Sequence, residues 1–114
     1  MRILLTFLLS LLGLISTAQF SYIDLTIGFD QYPQETAWAI TQGPDTILSD
    51  DDYGYTNYVS ATITERLLME ASVTAYKFTM TDEFGDGICC DYGNGFFSAE
   101  NQCQGVLFED YDFG

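Results

Sequence analysis

Ser-Tyr-Ile-Asp-Leu-Thr-Ile-Gly-Phe (SYIDLTIGF, residues 21–29) sets Ile23, Leu25, Ile27 and Phe29 on one face of an extended chain and Tyr22, Asp24 and Thr26 on the other. Successive side chains of a strand point to opposite faces, so this alternation predicts a half-buried β-strand. The signal returns along the chain. Asp30 to Glu35 breaks the first strand with a proline turn, and Thr36 to Thr41 (TAWAIT) resumes with Trp38 and Ile40 on one side. Gln42-Gly43-Pro44-Asp45 is a turn before a short strand at Thr46 to Leu48, which together predict a hairpin. Tyr58 to Thr64 alternates through Val59, Ala61 and Ile63, and Val73 to Met80 through Tyr76, Phe78 and Met80. Glu65 to Ala71 (ERLLMEA) is rich in helix formers but short and poorly capped, so it reads as a loop or a strand edge. Phe96 to Glu100, a turn at Asn101 to Gly105, and Val106 to Phe108 close the pattern. Short strands at this spacing predict a single all-β domain, an antiparallel, jelly-roll-like β-sandwich.

The segment before residue 19 is of another kind. Met1-Arg2 is a short positive start, Ile3 to Ile15 is almost wholly apolar, and Ser16-Thr17-Ala18 offers a small-x-small cut. That order is a secretory signal peptide over residues 1–18, with the sandwich module over 19–114. The apolar run is shorter than the roughly twenty residues a membrane-spanning helix needs. The expected location is therefore outside the cell or on its surface, with no membrane span after cleavage.

All 17 acidic residues lie after residue 18, against Arg66 and Lys77, so that part carries 2 − 17 = −15 charges. Such a balance opposes binding to nucleic acid and to anionic membranes, which require Lys and Arg. It also repels itself unless cations offset it. Histidine is absent, which removes Ser-His-Asp and Cys-His catalysis and imidazole metal sites.

Chemistry concentrates in Tyr76 to Phe97 (YKFTMTDEFGDGICCDYGNGFF), where Asp82, Asp86 and Asp91 alternate with Gly85, Gly87, Gly93 and Gly95. Calcium takes about six to eight oxygen ligands, which closely spaced Asp side chains and glycine-freed carbonyls can supply. Asp82, Asp86 and then Asp91 are the predicted metal ligands, with Asp30 and Glu35 as further candidates. The spacing is not that of an EF-hand, whose terminal Glu and flanking helices are missing. An Asp/Gly-rich turn closed by its own hydrogen bonds is the alternative.

The cysteines are Cys89, Cys90 and Cys103. In an exported chain one pair is expected to be oxidised. Adjacent cysteines rarely bond each other, so the expectation is Cys103 with Cys89 or Cys90 across a hairpin, leaving one thiol over.

Asp30-x-Tyr32-Pro33-x-Glu35-Thr36-x-Trp38 and Tyr76-x-Phe78-Thr79-x-x-Asp82-x-x-Gly85-Asp86-Gly87-Ile88-Cys89-Cys90-x-Tyr92-Gly93-Asn94-Gly95 together resemble a module of secreted proteins from marine bacteria and microalgae. Such modules are often appended to exported proteases and other multidomain extracellular proteins. The resemblance covers nearly all of the chain after residue 18. It implies an accessory extracellular β module rather than a reaction. Two features depart from the family pattern. That pattern has cysteines near the positions of Arg66 or Leu67 and of Ala75, where this chain has none, so its disulfide pairing does not carry over. It also runs past Phe113-Gly114 into one more strand. Either this chain is a fragment or the sandwich lacks a strand. A missing strand would leave an open sheet edge, and the hypothesis that follows is self-association by strand donation from the segment near Gln19 to Ile27.

Three functions compete. The first is a binding module for an extracellular polysaccharide or protein, with calcium ordering a surface of Tyr53, Tyr55, Tyr58 and Tyr92. The second is a purely structural or self-assembling cell-surface subunit. The third is an enzyme using paired carboxylates such as Asp30 or Glu35 with Asp82 or Asp86. A chain this short has little room for a substrate cleft, so the expectation is that it is not an enzyme.

Overall fold

The computed structural model describes residues 2–9, 19–50, 53–72 and 74–110. The Ser16-Thr17-Ala18 cut and the Asp51-Asp52 step fall outside them. Among the described residues the strands are β1 (Arg2–Phe7), β2 (Phe20–Gly28), β3 (Thr36–Gln42), β4 (Asp45–Asp50), β5 (Thr62–Glu70), β6 (Tyr76–Asp82), β7 (Phe96–Asn101) and β8 (Gly105–Asp110). A 3-10 turn, Pro33–Glu35, stands between β2 and β3. All ladders are antiparallel, in one sheet of order β1-β6-β3-β4 and a second of order β5-β2-β7-β8. The fold is the expected all-β sandwich. Its nested pairs, β2 with β7 in one sheet and β3 with β6 in the other, give it jelly-roll character.

The core follows from the alternation. Ile23, Leu25 and Ile27 of β2 are buried and face Trp38, Ile40, Phe78 and Met80 of the opposite sheet. Phe78 is the hub, with its ring 4.6 Å from that of Phe108, 5.5 Å from Phe97 and 6.4 Å from Trp38. Trp38 and Tyr55 also share a polar link. The indole Nε1–H donates to the Tyr55 hydroxyl at 3.0 Å, and that hydroxyl donates to Glu65 Oε1 at 3.4 Å. On the outer face, Arg66 grips Asp24 with two bonds of 2.8 and 3.0 Å. This pair is exposed, so it contributes little to stability.

Of the two readings of Glu65 to Ala71, loop or strand edge, the second holds: Glu65 to Glu70 completes β5 at the edge of its sheet with Leu67 and Met69 buried. Gln19 to Ile27 is not a free donor, because β2 is hydrogen-bonded to β5 on one side and to β7 on the other. One finding lies inside the segment read as a leader. In the uncut chain Arg2–Phe7 pairs along the whole of β6, from Arg2 opposite Thr81 to Phe7 opposite Tyr76. Phe7 and Leu9 are 7% and 1% exposed in the core. No helix among the described residues is long and apolar enough to cross a membrane.

Candidate metal centre

One end of the sandwich collects the ends of β2 and β6 and the starts of β3 and β7. The register sets Thr36 opposite Asp82, so the 3-10 turn that precedes β3 lies against the loop that follows β6. The Glu83 N–H donates to the Glu35 carbonyl at 2.9 Å and clasps the two segments. A second clasp runs from the Gln31 N–H to the Tyr92 carbonyl, also 2.9 Å. Residues 83–95 fold back on themselves through the Gly95 N–H, which donates to the Ile88 carbonyl at 2.7 Å.

This arrangement gathers the Glu35, Asp82 and Asp86 carboxylates. One oxygen of each lies within 4.8 Å of the others. Asp82 is 2% exposed, and its oxygens accept the Phe84 N–H at 3.3 Å and the Gly87 N–H at 2.6 Å. Gly87 reaches that bond with φ of 77°, a left-handed conformation that residues with a Cβ rarely adopt. Asp86 Oδ1 is buried and meets no hydrogen-bond partner among the described residues.

The electrostatics agree with the geometry. Two unit charges at 4.8 Å repel by about 3.5 kcal/mol at an effective dielectric near 20. Desolvation pushes the Asp86 carboxyl above its ordinary range, and the neighbouring Asp82 carboxyl and the charge of Asp91 add to this. Desolvation likewise raises Glu35, helped by Asp86, Asp82, Asp30 and Glu83. Asp30 is raised by desolvation, against the Tyr32 N–H, with Asp86 and Asp82 contributing. Protons or a bound cation would relieve this repulsion. The donors are all carboxylate oxygens, with neither imidazole nor thiolate, a set that suits a hard cation such as calcium.

The expected ligands divide. Asp82 and Asp86 stand together, and Glu35 joins them. Asp30 is buried nearby, with its Oδ1 accepting the Tyr32 N–H at 2.8 Å. Asp91 is exposed and outside the trio, acting on Asp86 only through its charge. The tyrosine surface also changes. Tyr55 is 4% exposed and belongs to the core, against Phe29. Tyr58 and Tyr92 are exposed as expected, at 41% and 43%, and Phe84, Tyr32 and Phe96 add exposed rings at this end, at 73%, 39% and 37%, with Tyr32 edge-on to Tyr92 at 5.2 Å. Phe84 leaves no signal in the sequence, because one apolar residue in a polar loop carries no periodicity.

The disulfide expectation is overturned. Cys89 bonds Cys90 across a cis peptide, and Cys103 is free and exposed. Cys103 lies beyond the far end of β7, whose six residues separate it from the loop by roughly 20 Å. A disulfide needs Cα atoms within about 7 Å.

Compared with known proteins, the chain matches no family model, no curated protein and no solved structure. Function must therefore be argued from the chemistry of this end of the sandwich.

Proposed function

We propose that this chain is an exported, acidic accessory β-sandwich module that binds calcium at Glu35, Asp82 and Asp86. The ion would hold the loops carrying Tyr32, Phe84 and Tyr92 as a surface for an extracellular polysaccharide or protein. No reaction is part of this reading. The observation that carries it is the trio of carboxylates within 4.8 Å, with the buried Asp86 Oδ1 left without a hydrogen bond. A cation would satisfy that oxygen and remove the mutual repulsion.

The test is thermal unfolding in excess EDTA and then in millimolar calcium. A ligand that binds only the folded state stabilises it by about 2.7 kcal/mol at a hundred times its Kd, worth several degrees in a domain of this size. The shift is expected to vanish in Asp86→Asn, while the metal-free melting temperature holds or rises as a repulsive charge is removed. No shift with either calcium or magnesium would leave the structural reading. That reading draws its support from Asp82, which already accepts two backbone N–H groups and closes its own turn.

A further inference from the structure

Residues 2–7 have two roles that exclude each other. In sequence they read as the start of a leader, and among the described residues they are the partner of β6 on the side away from β3. The strand covers apolar groups there. Phe7 lies 5.7 Å from the Tyr76 ring and 5.5 Å from Phe108, Leu5 stands opposite Phe78, and Ile3 opposite Met80. Cutting after Ala18 removes that cover and turns β6 into an edge with unpaired backbone groups, which templates another strand.

We propose that the exported chain fills this edge with β6 of a second copy, in an antiparallel pair whose two-fold axis passes through Thr79. This rests on the reading of residues 1–18 as a removed leader. A two-fold pair must be self-complementary, and the Lys77–Thr81 segment is. In this register Phe78 faces Met80 of the other copy, and Met80 faces its Phe78, so these two inward positions stay apolar, as Leu5 and Ile3 made them, and at the strand ends Tyr76 falls opposite Asp82. On the outer face Thr79 meets Thr79, a favourable cross-strand pair. Lys77 meets Thr81, as it meets Thr6 in the uncut chain. Charge is compatible with this register, while one centred on Met80, which sets Lys77 directly opposite Glu83, would turn Phe78 onto the buried Asp82. Lys77 is one of two basic residues after residue 18, and it lies diagonal to Glu83 of the other copy, twice per dimer. Two strongly acidic chains thus meet at a rare cation. A register shifted to centre on Phe78 would lose those contacts and set Thr79 opposite Lys77.

The experiment is secretion of the full chain from a bacterial host. Intact mass would identify the N-terminus, and analytical ultracentrifugation at micromolar concentration would give the molar mass. The expected product starts at Gln19 and sediments at twice its chain mass. Thr79→Glu, which sets two carboxylates face to face on the outer surface, is expected to sediment as a monomer with unchanged circular dichroism. Mixing it with Thr79→Lys is expected to restore a mixed dimer. If Thr79→Glu does not fold, Lys77→Glu serves in its place and should weaken the dimer at least tenfold. A product still carrying Arg2–Phe7 overturns the proposal through the leader, and a monomer starting at Gln19 overturns it through the pairing. A dimer indifferent to both substitutions, or strengthened by Thr79→Glu, overturns the register and the proposal with it.

Discussion

Asp86 is one of three carboxyls that set the pH response of this end. Its carboxyl, with those of Glu35 and Asp30, is pushed upward by desolvation and neighbouring carboxylates. A group whose pKa is higher folded than unfolded takes up protons on folding. Its stabilising effect is full below the ordinary carboxylate range and is lost as pH rises through the raised values. The metal-free chain is therefore expected to melt at a higher temperature near pH 5 than near pH 8. Calcium must displace the same protons, so its stabilising shift should be small near pH 5 and large near pH 8. Melting curves with and without calcium at both values check the pair, and a metal-free melting temperature that rose with pH would contradict the electrostatics of this end. The density of Asp and Gly made Asp82 and Asp86 legible in sequence. Glu35 was legible only as a motif residue, because its approach depends on the pairing of Thr36 with Asp82. Asp91 has the same composition signal and falls outside the trio. Residue type does not reveal which way a loop side chain faces.

At the scale of elements, period two decided most of the fold. Ile23, Leu25 and Ile27 are buried as their alternation required. Glu65 to Glu70 alternates too, with Leu67 and Met69 inside, but helix-forming side chains masked it. Tertiary pairing with β2 outweighs that weak local preference. The loop at residues 83–95 obeys closer rules. A Cβ on Gly95 would run into the Ile88 carbonyl, which is backbone and cannot step aside. Gly95→Ala is expected to cost about 1–3 kcal/mol, as overpacked sites do, and to abolish the calcium shift by displacing the loop that carries Asp86. A polar link within the core offers a contrast. Tyr55→Phe would leave the buried Trp38 Nε1–H without its acceptor, a loss of about 1–3 kcal/mol, with the calcium shift intact. Chemical denaturation of both variants, each with and without calcium, separates damage to the site from damage to the core. If Gly95→Ala kept its calcium response, the loop would not be what holds the ion.

For the whole molecule, a net charge of −14 over 114 residues raises a rival explanation for any effect of calcium. Any salt screens dispersed surface charge, and a general gain in stability with ionic strength is expected for so acidic a chain. Distance separates the two effects. The Debye length is about 10 Å at 0.1 M salt, so sodium chloride relaxes repulsion between charges spread over the surface. It does little for carboxylates within 4.8 Å of one another at a desolvated end of the sandwich. The melting temperature in EDTA should therefore climb gradually with sodium chloride, and by a similar amount in Asp86→Asn. Millimolar calcium should add a further shift at matched ionic strength, in the unsubstituted chain alone. If sodium chloride at the same ionic strength reproduced the calcium shift, the acidic end would be one part of a diffuse charge field, and the metal centre would have no separate existence.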